Sequence, residues 1–163
     1  MNDDDFVRNY GGVYEHSPWV AERVHGLLGE RLADMQQLAK LMADCVDNAS
    51  LDAQLELMRA HPDLAGKTAL AGELTADSNE EQSKAGLDQC TADEFERFQT
   101  LNLAYKEKFG FPFIMAVRES SRAEILEAFA GRLDNDYELE FETALQEIHK
   151  IARLRLAALE EKS

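Results

Sequence analysis

The chain has 163 residues, of which 17 are basic and 32 acidic, so its formal net charge at pH 7 is -15. A chain of this length can bury one substantial hydrophobic core but hardly two, which predicts a single domain over residues 1–163. Its negative charge would repel phosphate groups, so neither a nucleic-acid nor a membrane partner is expected.

The compartment is predicted from the N-terminus and the cysteines. The acidic start MNDDDF does not resemble a signal peptide, and no apolar run approaches the ~20 residues that cross a bilayer. Cys45 and Cys90 lack the CxxC spacing of a zinc knuckle, and we interpret both as core thiols. These features predict a cytoplasmic protein.

Helix-forming residues dominate the chain from end to end. Apolar residues recur every three or four positions, as in the series Phe141, Leu145, Ile148, Ala152, Leu156 and Leu159 or the series Phe95, Phe98, Leu101, Tyr105 and Phe109. We interpret these series as buried stripes. The predicted fold is all-α, a single-domain helical bundle of about seven or more helices, over roughly 3–9, 17–30, 33–48, 51–60, 78–86, 91–109, 121–133 and 135–161.

Capping signals mark several helix ends. Ser17 followed by Pro18 is typical of a helix start. Three pairs have the spacing of a capping box, in which two backbone donors are satisfied reciprocally: Thr91–Glu94, Ser121–Glu124 and Asn135–Glu138. Gly110 is the predicted stop of the helix that begins near 91.

Two segments do not fit a helix. Residues 61–77 contain Pro62, Gly66 and Gly72 and are predicted to form a long loop, which in a compact domain is often functional. The segment FGFPFIMAVRESS is apolar up to Arg118 and suits neither a helix nor an exposed loop.

His61 and Ser78 each allow a structural and a functional interpretation. His61 precedes a proline and so lies at or just past a helix end, where it could balance the helix dipole or move a proton. Ser78 and Glu81 have capping-box spacing, but a helix start can also hold an anion, and the box does not explain Gln82.

Arg118 and the histidines complete the candidates. A partly buried Arg118 would need an anion, unless it reaches solvent or pairs with Glu119 or another acid. Only Glu22–His25 has the Glu-x-x-His spacing of a helical metal site, and HExxH, Walker and GxGxxG motifs are absent from the sequence. No metal site is predicted.

Three motifs in order carry a resemblance. HPDLAGK at 61–67, SNEEQSKAGL at 78–87 and LNLAYKEKFGFPFIMAVR at 101–118 together resemble the 2-oxo-4-hydroxy-4-carboxy-5-ureidoimidazoline (OHCU) decarboxylase family of urate breakdown. VYEHSPWVAERV near the start and the RAEIL helix fit the family as well. The resemblance extends over the whole chain.

The resemblance assigns roles residue by residue. It implies that His61 is catalytic and that Glu81 assists it. It also implies substrate binding by residues of all three motifs, namely Pro62, Ser78, Gln82, Phe113, Ile114, Met115, Ala116, Val117 and Arg118. Relatives often have a small residue where Glu119 stands, and an acid there could pair with Arg118 and weaken its hold on an anion.

The resemblance further implies the reaction and its setting. The substrate would be OHCU and the product (S)-allantoin, formed by an all-helical homodimer without a metal or organic cofactor and coupled functionally to uricase and hydroxyisourate hydrolase. Two alternatives stay open: an acidic helical interaction module that docks through the FGFPFIMAV run, and a lyase that acts on a related ureide.

Overall fold

The computed structural model describes residues 2–28, 34–66 and 74–162. Within these ranges the chain forms eight α-helices and one short 3-10 turn, Leu87–Gln89, so the all-α prediction is confirmed. The helices are α1 Asp3–Tyr10, α2 Trp19–Leu28, α3 Met35–Asp47, α4 Leu51–Arg59, α5 Ala76–Lys84, α6 Ala92–Phe109, α7 Arg122–Arg132 and α8 Tyr137–Lys162. No helix in these ranges is long and apolar enough to span a membrane.

The first of two compact units comprises residues 1–60 and 148–163. Its apolar core includes Val24, Met42 and Val46, which are almost fully buried. Buried polar groups are paired inside it: the His149 ring is hydrogen-bonded to the Tyr14 hydroxyl at 2.8 Å and to Asp47 at 2.9 Å. Such pairing offsets the desolvation that burial of polar groups would otherwise cost.

The second unit comprises residues 61–147, and an aromatic cluster forms its core. The buried ring of Tyr105 has its centroid 4.6 to 5.9 Å from those of Phe109, Phe111, Phe113 and Phe129. Aromatic pairs at these separations add to the stabilisation from burial itself. All residues predicted for the functional site lie in this unit.

One carboxylate is buried in the aromatic core. Glu140 is 0% exposed and accepts hydrogen bonds from the Tyr105 hydroxyl at 2.6 Å, Arg132 Nε at 2.8 Å and Asn135 Nδ2 at 3.0 Å. Burial, and then the bond to Glu140, raise the pKa of the Tyr105 hydroxyl above its ordinary value. The buried charge is therefore compensated by three donors.

The capping predictions have mixed outcomes. The boxes Thr91–Glu94 and Ser121–Glu124 are both present, and Gly110 ends α6 with a left-handed φ of 77°, so these predictions are confirmed. The prediction for Asn135 is wrong, because Asp136 accepts the N–H of Leu139 and so caps α8. Asn135 instead donates to Glu140.

The predicted start of α2 is wrong by two residues. α2 begins at Trp19, and Pro18 O accepts from Glu22 N at 3.0 Å. The Ser17 hydroxyl donates to Glu15 O at 2.9 Å, and the first i to i+4 bond of the helix is accepted by Pro18 O instead. The predicted end of this helix at 30 and the predicted start of the next helix at 33 lie outside the described residues.

The two cysteines are half-buried, so the interpretation of both as core thiols is too strong. Burial is the main cause that raises the pKa of each thiol above its ordinary value.

Candidate active site

His61 lies just beyond the end of α4, as predicted. The last helical residue is Arg59, and the N–H of Ala60 still bonds to Glu56 O at 3.0 Å. The His61 side chain is 8% exposed, and Pro62 beside it is half-buried. A following proline restricts the backbone angles of the histidine before it.

The residues after Pro62 form a tight turn. Ala65 has a φ of +52°, a left-handed conformation that only glycine adopts without cost. At Gly66, an added Cβ would lie 2.8 Å from the Asp63 Cβ, so the turn has no room for a larger residue there. Of the predicted loop 61–77, residues 67–73 lie outside the described residues.

Side chains from two helices hold this turn. Gln82 of α5 accepts from Ala65 N at 3.0 Å through Oε1 and donates to Asp63 O at 3.3 Å through Nε2. From α6, Gln99 donates to Ala65 O at 2.8 Å and Asn102 donates to Leu64 O at 3.0 Å. The polar backbone of the turn is thus satisfied by side chains.

The predicted capping box at Ser78 is wrong. α5 begins at Ala76, and its N-cap is Thr75, whose side chain accepts from the N–H of Ser78 at 3.2 Å. Ser78 is therefore the third helical residue, 4% exposed, and Glu81 lies a turn further on and half-buried. A capping box therefore does not explain the spacing of Ser78 and Glu81.

Arg118 is paired with a residue of α5. Its Nη2 donates to Glu80 Oε1 at 2.7 Å, and its side chain is 20% exposed. The partner is therefore another acid than Glu119, which is exposed. The contact joins the third sequence motif to the second, as Gln82 joins the second to the first.

The segment from Phe113 to Val117 is irregular and largely buried. Arg132 holds it from α7: its Nη1 donates to Ile114 O at 2.6 Å, and its guanidinium carbon lies 4.4 Å from the centroid of the Phe113 ring. The N–H of Ala116 donates to Glu147 at 3.2 Å. A substrate contact here would use other groups, such as those of the half-buried Met115 and Ala116 side chains.

Burial of this segment also overturns one alternative. Phe111, Phe113, Ile114 and Val117 are at most 4% exposed, and the rings of Phe111 and Phe113 contact Tyr105 in the aromatic core. The FGFPFIMAV run therefore cannot serve as the docking surface of an interaction module.

Sequence reasoning missed three groups at this site: Gln99, Asn102 and Arg132. Asn102 had a detectable signal, because it stands four residues after Phe98 and three before Tyr105, on the buried stripe of α6. The predicted buried stripe of α6 contains Leu101 in place of Asn102, but Leu101 is only half-buried. Gln99 and Arg132 carry no such signal, since polar residues near a helix surface are common.

A cavity of about 490 Å³ borders the predicted site. Its described lining includes Ala65, Gln82, Cys90 and Phe95, and of the predicted site residues only Gln82 is among them. Within residues 2–28, 34–66 and 74–162, no three His, Cys, Asp or Glu side chains lie close enough to hold one metal ion.

Comparisons with known proteins support the family resemblance that the three motifs carry. The family model described as OHCU decarboxylase matches residues 1–157. A 2-oxo-4-hydroxy-4-carboxy-5-ureidoimidazoline decarboxylase of Haloferax volcanii is 45% identical over 157 residues, which cover 96% of this chain and 90% of the relative. The "Uric acid degradation bifunctional protein" of a Bacillus strain is 42% identical over 96% of this chain, and the match covers 30% of that protein.

Two solved structures share the fold. An (S)-allantoin synthase matches with a TM-score of 0.78 and 35% identity, over 98% of this chain and 51% of the other. An OHCU decarboxylase crystallised in the presence of (S)-allantoin matches with a TM-score of 0.72 and 26% identity, over 98% of both chains.

Proposed function

The chain belongs to the OHCU decarboxylase family, and from this premise we propose that it converts OHCU to (S)-allantoin and CO2. The observation that supports the proposal most is the contact of Gln82 with the turn that follows His61. It connects the helix of Ser78 and Glu81 to the backbone next to the proposed catalytic histidine.

The chemistry requires an enzyme that orients groups and moves protons. In OHCU the carboxylate is attached to a ring carbon that also bears a hydroxyl and adjoins a C=N bond. When the C–C bond to the carboxylate breaks, CO2 leaves, the electron pair forms a C=C bond to the neighbouring ring carbon, and the C=N nitrogen takes up a proton. The hydroxyl then loses its proton to become a carbonyl, and the neighbouring ring carbon, which bears the ureido group, gains one. The substrate supplies its own electron sink, so the proposed mechanism uses no cofactor.

His61 is the proposed proton carrier. An imidazole exchanges protons near neutral pH, and general acid–base catalysis of this kind contributes about 10² to 10⁴ in rate. His61 is buried just beyond the end of a helix and is followed by a proline, and its ring is proposed to reach the substrate from one side only. Delivery of the proton to one face of the ring carbon that bears the ureido group would produce a single allantoin enantiomer.

Glu81 is proposed to orient the imidazole or to make the second proton transfer. Ser78, buried on the first turn of α5, is proposed to bind a substrate oxygen through its hydroxyl. Arg118 is proposed to bind an anionic group of the substrate, and its bond to Glu80 fixes the direction of the guanidinium while leaving other N–H groups to donate.

Gln82 and the segment from Phe113 to Val117 complete the proposed site. Each end of the Gln82 amide can make two hydrogen bonds, so a bond to a ureido group is compatible with its bonds to the turn. Together with Pro62, the apolar segment would exclude water, which favours loss of a carboxylate.

We further propose that the protein is a cytoplasmic homodimer that acts with uricase and hydroxyisourate hydrolase. The name of the bifunctional Bacillus relative supports a link between this fold and other steps of urate degradation. The two free thiols, Cys45 and Cys90, suit a reducing compartment. Light scattering after gel filtration measures the proposed dimer directly.

The testing experiment follows OHCU, made in situ from urate by uricase and hydroxyisourate hydrolase, by circular dichroism. We expect the protein to accelerate the appearance of one allantoin enantiomer, because spontaneous decay produces a racemate. His61→Asn should reduce the rate by about 10²-fold or more in a protein that remains folded.

The matched control is His16→Asn. His16 is exposed and has a φ of +48°, a conformation that asparagine tolerates well, so this variant should keep the full rate. Absence of acceleration by well-folded wild-type protein would contradict the proposal and favour a related ureide as the substrate. Full activity of His61→Asn would remove His61 from the mechanism.

A further inference from the structure

Three amide side chains surround the turn after His61. Gln82, Gln99 and Asn102, which we call the amide clamp, make hydrogen bonds to four backbone groups: the carbonyls of Asp63, Leu64 and Ala65 and the N–H of Ala65. The bonds measure 2.8 to 3.3 Å. One amide comes from α5 and two come from α6, so two helices hold the same three residues.

The turn has a reason to need this support. Ala65 is held at a φ of +52°, although it is not a glycine, and such a conformation persists only where the surroundings determine it. The bonds to the Ala65 N–H and the Leu64 carbonyl are buried, so water cannot readily replace these two bonds of the clamp. Without the clamp, the turn would relax toward ordinary backbone angles.

Asn102 is the most unusual member of the clamp. Its side chain is 3% exposed, on the same stripe of α6 as Phe98 and Tyr105, where a hydrophobic residue would be expected. Burial of an amide is unfavourable unless it makes hydrogen bonds, and in the described part of the chain its Oδ1 has no partner. An asparagine at position 102 therefore costs stability. What it contributes in return is the hydrogen bond from its Nδ2 to Leu64 O.

We infer that Asn102 and Gln99 are positioning residues for the decarboxylation, which act through the turn 63–65 to hold Pro62 and His61 in the reactive orientation. This inference rests on the proposed function. Gln82, the third member of the clamp, also positions the turn, in addition to any contact that it makes with the substrate. A small displacement of a proton-transfer group can lower a rate by about 10²-fold, so loosening of the turn should be visible in catalysis.

The inference is tested with Asn102→Leu and Gln99→Met, each of which removes a donor at similar volume. We expect kcat to fall by about 10-fold or more with a smaller change in KM, because neither residue touches the substrate. Gln99 is half-buried and tolerates replacement better, so it decides the question if Asn102→Leu does not fold.

Enantiomeric excess separates positioning from partial unfolding. Enzyme concentrations are adjusted so that every variant consumes OHCU at the same rate. A smaller folded fraction would leave the enantiomeric excess of allantoin unchanged, whereas a loosened His61 would lower it. Hydrogen exchange of the Ala65 amide, which bonds to Gln82 and to neither replaced residue, should accelerate in both variants.

Lys106→Met is the matched control. Lys106 also lies on α6 and contacts the same turn, but it binds the half-buried side-chain carboxylate of Asp63 rather than a backbone group. This variant should keep kcat within about twofold, as expected for a surface ion pair. Wild-type protein without activity would overturn the proposed function. Active wild type with unchanged kcat, enantiomeric excess and exchange in both variants would overturn this inference alone.

Discussion

Glu81 is the residue whose role depends most on where a helix begins. Because Thr75 and not Ser78 caps α5, Ser78 occupies the third helical position, where a capping box would have its glutamate, and Glu81 lies almost a turn further along. It is half-buried on the same helix as Ser78 and Gln82, which are both buried. The capping box therefore does not explain an acid at this position, and the catalytic role of Glu81 stays a prediction.

We therefore expect Glu81→Gln to lower turnover by about 10²-fold with little change in the free energy of unfolding. Glutamine keeps the shape and the hydrogen-bonding capacity of the side chain but cannot accept a proton. Turnover in the coupled assay and urea unfolding measure the two effects separately.

Glu127→Gln is the control, since it makes the same change at an exposed position of α7. It should alter neither quantity. A Glu81→Gln protein that is destabilised yet turns over normally would return Glu81 to a purely structural role.

Helix α6 serves two purposes as an element. Phe98, Tyr105 and Phe109 pack into the aromatic core, while Gln99 and Asn102 reach the turn after His61. Its first residue is fixed by the Thr91–Glu94 capping box, and Glu94 also bonds to Arg122 of α7. The Thr91 N–H, and then the Arg122 guanidinium, hold the pKa of the Glu94 carboxyl below its ordinary value.

Loss of the cap should destabilise the protein without altering the chemistry. Thr91→Ala leaves a backbone donor of the first turn unsatisfied, and we expect the free energy of unfolding to fall by about 1 kcal/mol. Chemical denaturation at pH 7 measures it. Thr100→Ala, the same change at an exposed interior position of α6, should cost little, because alanine is the better helix former. Equal losses in both variants would contradict the assignment of the cap.

At the scale of the whole molecule, each unit buries one tyrosine whose hydroxyl is hydrogen-bonded. Tyr14 in the first unit bonds to His149, and Tyr105 in the second bonds to Glu140. Burial is the largest cause that raises the pKa of both hydroxyls above the ordinary value. In the folded protein both groups therefore keep their protons to higher pH than in the unfolded chain.

The sign of the pH dependence follows from linkage. A raised pKa in the folded state stabilises the protein fully below the pKa of an unfolded tyrosine, about 10, and this stabilisation is lost as the pH rises beyond that value. We expect the free energy of unfolding to fall steeply above about pH 10. Urea unfolding at pH 9, 10 and 11 measures the slope.

Tyr105→Phe should be less stable than wild type at neutral pH and should show a shallower alkaline slope, because the ionising group is absent from both states. Tyr14→Phe tests the first unit in the same way. An unchanged slope in both variants would mean that other groups cause alkaline unfolding.

The sequence alone determined the helical class, most helix locations and the identity of the candidate residues. These properties depend on local spacing: apolar residues at helical periodicity, capping residues three positions apart, and three contiguous motifs. The same local rules failed at Ser17, Ser78 and Asn135, because a serine or asparagine can cap a helix or bond elsewhere, and only the surrounding chain decides which.

Tertiary structure decided the partners. Arg118 pairs with Glu80 rather than with the adjacent Glu119, and Asn102 bonds to a carbonyl 38 residues away. Such choices depend on which side chains of distant segments arrive within hydrogen-bonding distance when the core packs, and no local pattern encodes that distance. The same packing buries most of the apolar run FGFPFIMAV and brings Gln99 and Asn102 into hydrogen-bonding contact with the turn after His61.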